Sequence, residues 1–238
     1  MIPPTDPDLA AAWDDVHRYS PAPRHRRRLL GRLLSPLPFD SLLDVGCGQP
    51  YLLEEWRRRG KRVAGCDVSP QVIEENRRRL PDAQFAVVDI NRAAFPGRQR
   101  FDLVVASEVL EHLDDWRAGL ENCCAMSQRF IVVTVPAGPR YAIDKMVGHR
   151  RHFAGPELAE ALGRLGFRIV RMRRWGFPLH TLYKWLINSI APERMYRSFG
   201  ASRYGWGQKA ASQLLYGLFF INDWFPWGQQ LLLLAERK

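Results

Sequence analysis

Three groups of side chains in this 238-residue chain have the types and spacing to do chemistry. The stretch SEVLEH places Glu108, Glu111 and His112 three and four residues apart, which on a helix is one face. Two carboxylates and an imidazole so placed could coordinate a divalent cation, or His112 could serve as a base near neutral pH. The stretch DKMVGHRRHF gathers Asp144, His149, Arg150, Arg151 and His152. There His149 is a second candidate for a base or for orienting an acceptor, while Arg151 and His152 could equally fix the loop against the next helix. The stretch SLLDVGCGQP carries Asp44 and two closely spaced glycines, Gly46 and Gly48, which permit a tight turn and close approach of a ligand to backbone.

Positioning these groups requires a frame, and the frame is readable. From residue 41 to 175 short apolar runs alternate with helical patterns: SLLDV, RVAGCDV, QFAVVD, FDLVVAS, RFIVVTVP and FRIVRMRRW, with helical stretches such as PQVIEENRRRL and GPELAEALGRLGF between them. Continuous rather than alternating apolar strands, each followed by a helix, predict a parallel sheet buried on both faces. Ser69 with Pro70, and Gly155 with Pro156, mark helix starts, and Gly166 a helix stop. In such a doubly wound α/β fold ligands bind beyond the carboxyl ends of the strands. Gly46, Gly48, Asp67, Asp89, Ser107, Glu108 and the residues after Pro136 all fall at such ends.

A dinucleotide fingerprint would need a third glycine at residue 51, which is Tyr51, and no Walker-type phosphate loop is present. Asp67 lies 19 residues beyond Gly48, a spacing suited to hydrogen bonding with ribose hydroxyls. The implied ligand carries a ribose without a pyrophosphate.

Taken in order, LLDVGCG, VAGCDVSP, FAVVDI and FDLVVASEVLEHL resemble the motifs of the class I S-adenosylmethionine (SAM) dependent methyltransferases, over roughly residues 40–175. The resemblance implies a Rossmann-like seven-stranded sheet, with LLLLAER similar to the family's antiparallel seventh strand. It implies SAM as cofactor and S-adenosylhomocysteine as product. Asp44 and the turn Gly46, Cys47 and Gly48 would lie along the methionine part, and Asp67 with Val68 at the ribose. Asp89 with Ile90 would flank the adenine, with Ser107 at the end of the fourth strand. Pro50 departs from the pattern, which often has a third glycine there, and brings a ring near the cofactor. SEVLEH also resembles the E-x-x-E-H stretch of the ubiquinone-biosynthesis O-methyltransferases, which would imply a magnesium-like ion held by Glu108, Glu111 and His112. Similar strings recur in the wider family without metal, leaving Glu111 and His112 to orient substrate or act in catalysis beside His149.

The rest of the chain frames this core. Residues 1–36 read as a helical cap, with Tyr19 and Arg24 as candidate contacts over the cofactor. Residues 176–228, too aromatic for a linker, read as a helical insertion ahead of a final strand at 229–238, within one domain spanning the chain. The insertion could pack as core, wall a pocket for an apolar acceptor, or touch a membrane peripherally. Four cysteines without paired C-x-x-C spacing read as free thiols in a reducing cytosol, and no signal peptide or transmembrane run of about 18 residues is evident. The net charge of +10 falls largely on helix ends such as Arg57–Arg59 and Arg77–Arg79, which weakens a nucleic-acid reading. The expected function is methylation of a small, hydrophobic acceptor, at oxygen in preference. An RNA methyltransferase and a non-catalytic SAM-binding module are the alternatives.

Overall fold

The computed structural model describes residues 7–190 and 203–238. Seven strands form one sheet: β1 (Ser41–Val45), β2 (Arg62–Asp67), β3 (Gln84–Val87), β4 (Phe101–Ser107), β5 (Ser127–Pro136), β6 (Phe167–Trp175) and β7 (Gln230–Arg237). Their order is β3-β2-β1-β4-β5-β7-β6. Strands β1 to β5 run parallel, and β7 lies antiparallel between β5 and β6. The order reverses between β1 and β4, so the Gly46 turn and Ser107 open side by side at the crevice where α/β sheets hold their ligands.

Successive strand residues point to opposite faces, and each face finds a cover. Leu42, Leu103, Val105 and Val132 pack against α2 (Pro21–Leu34) and α3 (Tyr51–Arg58) through Leu30, Leu34, Leu53 and Trp56. Leu43, Val104, Ile131 and Val133 pack against α5 (Trp116–Met126) and α7 (Gly155–Arg164) through Leu120, Cys123, Leu158 and Leu162. Burial on both faces is why β1 and β4 read as unbroken apolar runs.

Two expectations about elements need correction. Strand β6 is not a buried parallel strand: it is the sheet edge, antiparallel to β7, with Arg168, Arg171 and Arg174 in solvent. Charged residues along an edge oppose pairing with another chain, which accounts for the mixed pattern of FRIVRMRRW. The helix at 155 is capped by Ala154, with Gly155 and Pro156 inside its first turn. By contrast α4 (Pro70–Arg79) starts as read, Ser69 Oγ accepting from the Val72 amide, and Gly166 takes φ +83° after α7.

The ends of the chain form the cap and the insertion. Helix α1 (Pro7–Tyr19) and α2 pack on one another, and residues 1–6 of the expected cap lie outside the described residues. After β6 come α8 (Leu179–Ile190), α9 (Trp206–Leu218) and a 3-10 helix over Phe219–Trp224; residues 191–202 lie outside the described residues. Between β5 and α7 sits the short α6 (Ala142–Met146). The four cysteines are free and buried. Among the described residues no helix is long and apolar enough to cross a membrane.

Candidate active site

The cleft at the switch point has a volume of about 740 Å³. Its floor is the glycine turn. Gly46 has φ +63°, and a Cβ there would stand 2.6 Å from Val109 Cγ2, so only glycine fits. Gly48 has φ +43° and nothing but the Gly46 carbonyl within 4.0 Å of a Cβ position, leaving room beside its Cα for a ligand to approach. Asp67 braces this turn: Oδ2 accepts the Gly48 amide at 3.1 Å and Oδ1 the Ser69 amide at 3.0 Å. Asn76, buried in α4, donates from Nδ2 to the Gly48 carbonyl at 2.8 Å. Sequence reasoning missed Asn76; its signal is an asparagine in mid-helix, where that residue is a poor helix former and needs a tertiary reason.

The acids sit as a row along the cleft. Gly46, Gly48, Asp67, Val68, Asp89, Ile90 and Ser107 all line it. Asp44 and Cys47 do not; they lie buried beneath the turn. Burial, then the charge of Asp67, pushes the Asp44 carboxyl up to about 8, so a neutral acid underlies the turn at neutral pH. Burial likewise raises the Cys47 thiol well above its usual range, an inert group rather than a nucleophile. Asn122 holds the Ile90 carbonyl at 2.7 Å, and the Asn91 amide donates to Asp89 Oδ1 at 3.0 Å. These residues fit SAM: a glycine turn with open space beside it, carboxylates for hydroxyls and an exocyclic amine, and beneath the turn a buried acid whose ionisation a cationic ligand would favour. Pro50 is buried as the cap residue of α3 and does not line the cleft, so its ring does not meet the cofactor as expected.

The cap and the insertion wall the opening. Trp13, His17, Ser20 and Arg26 reach the cleft from α1 and α2, while the expected Tyr19 and Arg24 do not. Arg24 bonds Gln213 Oε1 at 2.8 Å and stacks on Tyr216 at 3.7 Å; Tyr19 pairs with Tyr204. The helical period decides this, turning Arg24 outward and Arg26 inward on α2. From the insertion, His180, Tyr183, Lys184 and Ile187 line the opposite side, one face of α8.

Glu108, Glu111 and His112 do not share a helical face. Glu108 follows β4 with φ +59°, and only Leu110–His112 form a 3-10 turn. The Glu108 carboxylate pairs with Arg26 at 3.1 Å and accepts from Thr134 Oγ1 at 3.2 Å. Glu111 is fully buried, does not line the cleft, and has no side-chain partner. Burial, then the charge of Glu108, holds its carboxyl well above the usual range.

What the fold brings together instead is His112, His149 and Asp144. The two imidazoles line the cleft with ring centres 4.9 Å apart. His112 Nδ1 lies 3.2 Å from the Gly148 carbonyl, which assigns the proton to Nδ1 and leaves Nε2 as an acceptor. Burial pushes His112 down to about 3, so it stays neutral. His149 Nδ1 stands 3.5 Å from Asp144 Oδ1. Asp144 also meets Lys184 Nζ at 2.8 Å and His152 Nε2 at 3.5 Å, and its Oδ2 accepts the Tyr141 amide at 2.8 Å. Burial opposes ionisation of Asp144, but the two imidazoles and the Lys184 ammonium outweigh it and hold the carboxyl well below the usual range. Lys184 was not legible beforehand because it reaches Asp144 from α8, whereas the Tyr141 bond is a local one, Tyr141 capping the helix in which Asp144 is the third residue.

The magnesium-like site implied for Glu108, Glu111 and His112 does not fit these positions. Glu108 is turned to Arg26, and the donors that do converge within 4.8 Å are Glu111, His112 and His149. One carboxyl and two imidazoles are not the oxygen-rich set that magnesium takes, and burial disfavours the ionised carboxyl that a cation needs.

Comparison with known proteins identifies the family of the fold. A family model described as a methyltransferase domain matches residues 14–172. The chain is 32% identical over 137 residues to the ubiquinone biosynthesis O-methyltransferase of Methylobacterium sp. (strain 4-46), covering 49% of this chain and 54% of that protein. It is 36% identical over 93 residues to malonyl-(acyl-carrier protein) O-methyltransferase of Serratia marcescens, covering 39% of this chain and 36% of that protein. The chain thus spans about half, or less, of the length of these relatives. Magnesium protoporphyrin IX methyltransferase from Synechocystis PCC 6803, solved with bound S-adenosylhomocysteine, superposes with a TM-score of 0.57 at 15% identity, covering 90% of this chain and 83% of that one. The chain belongs to the methyltransferase domain family, in the class I, SAM-dependent form whose sheet order it carries.

Proposed function

We propose that the chain transfers a methyl group from SAM to a small apolar acceptor, at a hydroxyl oxygen in preference, with His149 taking the proton. The carrying observation is the pairing of His149 with the buried Asp144 in the same cleft as the glycine turn. SAM, when bound, supplies an electrophilic methyl group. The chain's own part is alignment and proton removal. Asp144 stands behind His149 at 3.5 Å and orients its ring, as a buried carboxylate does behind a histidine base. His112, neutral with Nε2 free to accept, can hold the acceptor hydroxyl. Trp13, Ile143, Val147, Tyr183 and Ile187 supply apolar walls, which favours an apolar acceptor over a polar one. The O-methyltransferase names of the two relatives point the same way.

Incubation with labelled SAM and a panel of phenolic, lipid and RNA acceptors tests this reading. Label is expected on apolar hydroxyl compounds and is expected to persist in a chelator. Transfer to RNA alone, or none to any acceptor by protein that binds SAM, would overturn it.

A pH dependence follows from Asp44. In the free protein its carboxyl is raised to about 8, and a cationic ligand in the cleft above the turn favours the ionised form. Binding below pH 8 then releases a proton, so SAM affinity is expected to rise with pH by up to about tenfold per unit and to level off above that point. Calorimetry at several pH values checks it: Asp44→Asn is expected to remove the slope that the unaltered protein shows.

A further inference from the structure

We infer that the outer face of the insertion docks on an anionic lipid surface. Helix α8 has two working faces. His180, Tyr183, Lys184 and Ile187 line the cleft, while Leu182, Trp185 and Leu186, one helical face, are about half exposed to solvent. Helix α9 repeats the pattern: Trp206, Ala210, Leu214 and Leu218 recur every four residues along its outer side, with Trp206 89% and Leu214 72% exposed. The 3-10 helix that packs against both adds Phe220 and Trp224, the latter 78% exposed, and Trp227 follows. Soluble surfaces seldom carry so many large apolar side chains from adjoining elements without a partner.

Charge identifies the partner. Within the described part of residues 176–228 the only acid is Asp223, and Arg28 and Arg32 bind it at 2.7 and 2.9 Å. Arg24, Arg28 and Arg32 form one row on α2 beside the insertion, with Arg24 stacked on Tyr216 at 3.7 Å and Arg28 on Phe220 at 4.0 Å. Arg171 and Arg174 of the edge strand are exposed. Tryptophan and leucine set among arginines, with no unpaired carboxylate among the described residues of the insertion, match the boundary of a bilayer, where indole rings sit at headgroup level and basic groups meet anionic lipid. A bilayer there would place α8 between the lipid and the cleft, a short route for an apolar acceptor. The docking surface does not depend on which acceptor is methylated.

Sedimentation of the full chain with vesicles tests this inference. Binding is expected to vesicles of phosphatidylcholine with phosphatidylglycerol, to weaken as salt rises, and to be far weaker to phosphatidylcholine alone. Trp206→Ser with Leu214→Ser, and separately Leu182→Ser with Trp185→Ser, are each expected to lower partitioning at least about tenfold. Both pairs are exposed, so melting is expected to stay unchanged. No binding to anionic vesicles at low salt, or binding indifferent to both pairs, would overturn the inference. So would self-association that these variants abolish in a protein that ignores vesicles, since the face would then be a contact between copies.

Discussion

His149→Ala is expected to lower kcat by roughly 100- to 10,000-fold, the usual worth of a positioned base, with SAM affinity within about threefold of the original. The split follows from geometry. His149 lines the cleft 3.5 Å from Asp144 but makes no contact with the glycine turn or with Asp67. Single-turnover rates at saturating SAM and acceptor separate this outcome from a binding defect. Undiminished turnover would remove His149 from the chemistry and transfer the role to His112, whose Nε2 is the other free acceptor at that point.

The second large effect is on stability. Asp144→Ala leaves Lys184 buried without its partner at 2.8 Å and removes the acceptor of the Tyr141 amide. Breaking a buried pair from one side costs about 3–5 kcal/mol, or roughly 6–20 °C in Tm for a chain of this length. Adding Lys184→Met should recover much of that loss, because the penalty lies mainly in the orphaned ammonium. The pH dependence has a definite sign. The folded state holds Asp144 well below the ordinary carboxylate range, so its contribution is complete above a pH of about 4 and is lost as pH falls further. The Tm gap between Asp144→Asn and the unaltered protein should therefore narrow in acid. Thermal melts from pH 7 downward measure it, and a gap that widens in acid would contradict this account of Asp144.

Legibility from sequence divided along physical lines. The glycine turn and the acids after β2 and β3 were readable because they depend on local rules: a strand ends, a backbone must turn, a carboxylate follows. Glu108, Glu111 and His112 were misplaced as a helical face because the chain leaves β4 through a left-handed residue, and periodicity carries no information across such a turn. The partners of Asp144 come from the loop after α6 and from α8, more than thirty residues apart in the case of Lys184, and only the tertiary fold unites them. Arg26, rather than Arg24, reaches the cleft for a reason the sequence did hold: the helical phase of α2, set by its buried leucines at 29, 30, 33 and 34.

The most direct measurement is a calorimetric titration of cofactor-stripped protein with SAM, using NAD as control and Asp67→Ala alongside. Saturable binding of SAM but not NAD is expected. Asp67→Ala should weaken it by about tenfold or more, since it removes both the proposed ribose acceptor and the brace on the Gly48 amide. A folded protein that does not bind SAM, or that binds it equally well without Asp67, would contradict the assignment of this cleft.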